Sequence, residues 1–128
     1  MPSKVKTFEA LAAKAEAAGM AAGTGAEVAP MVVGSPVGLF GSAIDRSKPV
    51  YFVADGVCGF AWVRIKGNTA FGKFMRKAGK ARPGYGSGLV INCRDFNQSL
   101  GRKEAWATAY ANVLNDAGVD AYSESRMD

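Results

Sequence analysis

Apolar residues recur at helical spacing near both ends of the chain and alternate in short runs between them. Phe8, Leu11, Ala12, Ala15 and Ala18 trace one face of a helix over residues 3–18, with Ser3 or Thr7 to cap it and Gly19 to stop it. Its stripe is mostly alanine, which suits close packing but buries little area. Trp106, Ala109, Tyr110, Val113, Leu114 and Ala117 mark a longer helix over 100–117, capped by Ser99 and ended by Gly118. A shorter helix over 69–78 begins at Asn68 or Thr69, and Phe71, Phe74, Met75 and Ala78 form its buried stripe. Three runs read as strands, 50–53, 60–65 and 89–93. In the second, Phe60, Trp62 and Arg64 share one face, and Ala61, Val63 and Ile65 share the other. Asp55-Gly56 predicts a tight turn joining the first two strands. The tail from Val119 adds at most a short edge strand around Tyr122. The pattern predicts an α+β fold, a small, mainly antiparallel sheet packed by two helices, with an N-terminal helix and an extended Gly/Pro-rich arm.

That arm occupies residues 19–48 and is punctuated by Gly19, Gly23, Gly25, Pro30, Gly34, Pro36, Gly38 and Gly41. It carries a strand-like piece, Pro30-Met31-Val32-Val33, and enough apolar side chains to lie on a surface rather than in water. The expected division is an N-terminal helix and arm over 1–48 and an α+β core domain over 49–128.

A length of 128 residues suits one domain with a real core, and 48% apolar with 21% charged residues excludes global disorder. The sequence contains no histidine, which removes Ser-His-Asp and Cys-His catalysis and most zinc sites. Cys58 and Cys93 each sit in an apolar run and read as buried free thiols, or as a bridge if their strands pair. Asp45, Asp55 and Asp95 are better explained by turns and connections than by a cation. The expectation is therefore no enzyme, no catalytic or metal-ligating residue and no cofactor. The start lacks a secretory pattern and no apolar run spans a bilayer, so a soluble protein, intracellular at least where it is made, is expected.

Charge changes this picture. Between Asp55 and Asp95 the ionic residues are all basic: Arg64, Lys66, Lys73, Arg76, Lys77, Lys80, Arg82 and Arg94. With a net charge of +5, such segregation favours an anionic partner. Lys73, Lys77 and Lys80 fall opposite the Phe71/Phe74/Met75 stripe, with Arg76 beside them, and so face water. Such a row meets a phosphate backbone or serves as an ordinary solvated helix face. Tyr85 lies among glycines near Arg82, where it can stack on an unpaired base. Otherwise its loop is a flexible connection. The nucleic-acid-binding candidates are Lys73, Arg76, Lys77, Lys80, Arg82 and Tyr85. Trp62 and Trp106 read as core anchors.

Two resemblances bear on these residues. Asp55-Gly56-Val57-Cys58-Gly59-Phe60-Ala61-Trp62-Val63, Phe96-Asn97-Gln98-Ser99 ahead of Lys103-Glu104-Ala105, and the terminal Ser125-Arg126-Met127-Asp128 resemble a small group of uncharacterised tailed-bacteriophage proteins. The likeness covers roughly residues 49–128 and implies a phage-encoded protein of the host cytoplasm or virion, with no activity attached. Gly101-Arg102-Lys103-Glu104-Ala105 is similar to the last helix of double-stranded RNA-binding domains. A helix between the second and third strands and the lack of histidine depart from that family, so no residue roles transfer. The expected function is a non-enzymatic, phage-type binding protein with a basic face for an anionic partner, nucleic acid first. The alternatives are a virion structural or decoration protein using its N-terminal arm for subunit contacts, and an inhibitor of a host or defence protein. Expected partners are nucleic acid or another protein and no membrane, with self-association through residues 19–48.

Overall fold

The computed structural model describes residues 4–27, 31–34, 50–53 and 56–128. In chain order these form α1 (Lys4–Gly25), β1 (Met31–Gly34), β2 (Val50–Val53), β3 (Gly59–Ile65), α2 (Ala70–Lys77), β4 (Arg82–Pro83), β5 (Leu89–Asn92), α3 (Leu100–Asp116) and β6 (Ala121–Met127). The fold is α+β. A four-stranded antiparallel sheet runs in the order β4-β5-β3-β6, and β1 pairs with β2 in a separate antiparallel ribbon. From β3 onward the succession is βαββαβ, and each helix joins two strands that flank a third. This is the split βαβ, or ferredoxin-like, connection order.

All three helices contribute to one core with one side of this sheet. Val63, Ile65 and Ala61 of β3, with Leu89 and Ile91 of β5, meet Phe71 and Met75 of α2, Trp106, Tyr110 and Leu114 of α3, and Ala12 and Ala15 of α1. The predicted caps are present. The Thr69 hydroxyl accepts the Gly72 N–H at 3.0 Å and the Ser99 hydroxyl accepts the Arg102 N–H at 3.4 Å. Gly79 and Gly118 follow the two helices with φ of 75° and 86°.

Three expectations are corrected. First, the N-terminal helix does not stop at Gly19, so residues 19–25 belong to α1 and not to the arm. Gly19 and Gly23 are contact residues: a Cβ on Gly19 would lie 2.7 Å from the Trp106 indole, and one on Gly23 2.3 Å from the Phe96 ring. The helix ends where Arg102 Nη1 donates to the carbonyls of Gly23 and Thr24, both at 3.0 Å.

Second, the strand over 50–53 does not join the main sheet, because β5 and β6 already occupy the two edges of β3. The backbone after Gly56 instead bonds to the entry of α3, Gly59 N–H to Gln98 O and Leu100 N–H to Val57 O, both 2.9 Å. Third, the tail is no fraying fragment: β6 pairs with β3 over its whole length, from Gly59 opposite Met127 to Ile65 opposite Ala121. Residues 28–30, 35–49 and 54–55, which hold most of the predicted arm with Asp45 and Asp55, lie outside the described residues. No helix among the described residues is long and apolar enough to cross a membrane.

Candidate functional site on the open sheet face

The strand registers set the second side of the sheet in rows. Arg82, Val90, Arg64 and Tyr122 lie side by side across four strands, then Asn92, Trp62 and Glu124, then Phe60 and Arg126. The helices take the other side, and no described helix lies across these rows. The middle of the face is an open hollow of about 630 Å³.

Arg64 organises it. Its side chain is 10% exposed, lying under the loop between β4 and β5. Nε donates to Glu124 Oε1 at 2.5 Å, Nη2 to the Tyr85 carbonyl at 2.8 Å, and Nη1 to the Ser87 carbonyl. Trp62 Nε1 donates to the same Glu124 oxygen at 2.9 Å. Partial desolvation raises the Glu124 pKa, but hydrogen bonds from Arg64 and Trp62 and the Arg64 charge outweigh it and hold the carboxyl below its usual range. A buried guanidinium with a carboxylate and two carbonyls is a charge-assisted network with its directions fixed.

The loop's glycines let it lie this close. Gly88 has φ of 80°, and a Cβ there would stand 2.5 Å from the Ile65 carbonyl. A Cβ on Gly84 would meet Val90 at 2.7 Å. The loop is therefore anchored rather than a free connection, and its one large side chain, Tyr85, is 100% exposed. At the far end of the face, Lys103 Nζ and Arg126 Cζ each sit 5.3 Å from the Phe60 ring centroid, a pair of cation–π contacts.

The predicted binding residues border several depressions. Lys73, Arg76, Lys77, Lys80, Arg82 and Tyr85 are all exposed. Arg82 and Tyr85 line the hollow together. Arg76 borders a neighbouring groove with Ser87 and Tyr122, and Lys80 borders a cleft beyond the β4 edge. Lys73 and Lys77 stand apart from these depressions on α2, where Lys77 with Arg76 also suits the negative end of the helix dipole.

Sequence reasoning missed Trp62, Arg64, Glu124 and Arg126. Trp106 is a core anchor at 2% exposure, but Trp62 is not: it stands half-buried on the open face. The parity of Phe60, Trp62 and Arg64 contained this signal, and only the partner strand β6 was lacking. The thiols divide too. Both are free, but Cys58 is exposed, contrary to expectation, because the chain there bridges to Ser99 outside the sheet. Cys93 is buried, and burial pushes its thiol pKa up, away from nucleophilic behaviour. Among the described residues no His/Cys/Asp/Glu cluster suited to a metal ion is present. Comparison with protein-family models, with curated proteins and with solved structures returns no match to this chain.

Proposed function

We propose that this chain is a non-enzymatic, phage-type nucleic-acid-binding protein that takes an unpaired strand on the open face of its sheet. The observation that carries the reading is the Arg64 network, which fixes a fully exposed Tyr85 beside a hollow lined by Trp62, Phe60, Arg82 and Arg126. A tyrosine whose backbone is already anchored loses only side-chain freedom when a base stacks on it, and the two arginines at the margins are placed for phosphates. A duplex hides its base faces and gains nothing from this geometry, whereas a single strand offers them. The basic residues of α2 then add a weaker, longer-range attraction.

The test is fluorescence anisotropy with a labelled single strand of about 12 nucleotides and its duplex at low salt. Single-strand binding is expected to weaken as salt rises, with a logarithmic slope of about 0.7 per neutralised phosphate. Tyr85→Ala and Trp62→Ala are each expected to cost roughly 5- to 100-fold in affinity, the range of one lost base stack. Lys73→Glu is expected to cost less than Arg82→Glu. No binding at low salt, or equal binding of duplex, overturns the proposal.

A further inference from the structure

Where β4 stops, the edge of β5 opens onto a cleft of about 280 Å³ bounded by α1, α3 and the segment leaving α2. Arg82, Val90 and Asn92 line both this cleft and the open-face hollow, so the two are joined around the sheet edge. The floor is Trp106 against Tyr110, with ring centroids 4.9 Å apart. Both residues are 2% exposed. The Trp106 indole N–H is buried without a hydrogen-bond partner among the described residues; it leans on and stabilises the Glu16 carboxylate but does not reach it with hydrogen-bond geometry. Burial and then the Glu16 charge push the Tyr110 hydroxyl pKa up.

Glu16 is the acceptor of this cleft. Desolvation pushes its pKa up, Trp106 lowers it, Asp95 raises it and Lys80 lowers it. A partly desolvated carboxylate beside an unpartnered indole N–H and a tyrosine hydroxyl suits a ligand that supplies N–H groups and a carbonyl on one edge. At the rim, Lys80, Arg82 and Arg94 supply positive charge, while Glu16 and Asp95 keep an anionic group from entering deeper.

We infer that this cleft receives one guanine nucleotide, its base edge against Glu16 and the Tyr110 hydroxyl and its phosphate against Lys80, Arg82 and Arg94. The inference rests on the reading above in taking the ligand to be part of a bound strand. Guanine places two N–H donors side by side, which a carboxylate accepts together, next to a carbonyl for the Tyr110 hydroxyl. Adenine offers a single amino group there. The volume of about 280 Å³ lies just below the usual range of ligand sites, enough for a base and not for a larger cofactor.

The experiment follows the indole N–H resonances of Trp106 and Trp62 while guanosine monophosphate, adenosine monophosphate or inorganic phosphate is added. Guanosine monophosphate is expected to shift Trp106 at a concentration about tenfold below adenosine monophosphate, and Glu16→Gln is expected to erase that preference. No shift at about 10 mM, equal behaviour of the two nucleotides, or a preference that survives Glu16→Gln overturns the inference. So does phosphate alone matching the nucleotide. Strand titrations separate the two proposals. If oligothymidine binds but an internal guanine adds nothing, the sheet-face reading stands and the cleft inference falls. If guanosine monophosphate binds but oligothymidine does not, the cleft inference stands and the sheet-face reading falls.

Discussion

The two sides of β3 belong to one strand and are built on opposite principles. On the helix side, Val63 is 0% and Ile65 2% exposed, and their stabilisation is non-directional, set by area and close fit. On the open side, Trp62 and Arg64 are held by directional bonds to Glu124 and to loop carbonyls. A face closed by packing resists change of shape. A face fixed by hydrogen bonds to a buried charge resists change of chemistry, and it stays available to a ligand. The difference separates residues that make this fold from residues that aim it.

The largest expected effect lies on the closed side, where substitution should reverse the usual sign. Replacing a mid-helix glycine by alanine ordinarily stabilises a helix by about 0.5–1 kcal/mol. At Gly19 the added methyl would stand 2.7 Å from the Trp106 indole, itself packed in the core. Gly19→Ala is therefore expected to destabilise by about 1–3 kcal/mol, the cost of overpacking. Urea denaturation measures it. A stabilised variant would show that α1 does not seat on α3 through its small residues.

Next in size is the keystone of the open side. Arg64→Met keeps the stem but removes the guanidinium donors from the Ser87 and Tyr85 carbonyls and leaves Glu124 with the Trp62 indole. The expected loss is about 1–2 kcal/mol, since the stranded acceptors can recover some water. The diagnostic readout is local: backbone order in residues 85–88, read by NMR relaxation, should fall while that of α3 is retained, and single-strand affinity should fall. Unchanged order in the loop would mean that Arg64 does not hold Tyr85, and the contrast between the faces would lose its basis.

What the sequence made legible follows the same division. Both capped helices, the strand parity of β3 and the exposure of Lys73, Arg76 and Lys77 came from local periodicity, which acts within a few residues. The errors concern contacts between distant segments. Gly19 read as a helix stop and Gly23 as punctuation of the arm because the ring that demands a missing Cβ, Trp106 or Phe96, is remote in sequence. The strand over 50–53 read as the neighbour of β3 because hairpins are the default, and nothing local shows that both edges of β3 are filled. β6 was underrated because an edge strand with Ser123, Glu124 and Ser125 has little apolar alternation and is held by its backbone ladder. The candidate site inherits that omission, since Glu124 and Arg126 come from β6.

The smallest effect distinguishes the two regions by titration. Glu124, on the open face, has a folded pKa below the usual glutamate value of 4.5, so the native state favours its ionised form. Its contribution is full above the unfolded pKa and is lost as pH falls from 4.5 through the lower folded value. Glu16, between α1 and the cleft, is shifted the other way, chiefly by desolvation. The native state favours its protonated form, so ionised Glu16 opposes folding at neutral pH, and that opposition disappears as pH falls through its folded pKa, above 4.5. On acidification the urea midpoint should first receive a stabilising increment from Glu16 and then a destabilising one from Glu124. Both are small, since the Glu124 side chain is 34% exposed and Glu16 is only partly desolvated. Glu16→Gln should remove the first increment and leave the second, and Glu124→Gln should do the reverse. If Glu124→Gln left the profile below 4.5 unchanged, the Arg64–Glu124 pair would contribute nothing in solution, and Arg64 would have to be held in place by the Tyr85 and Ser87 carbonyls alone.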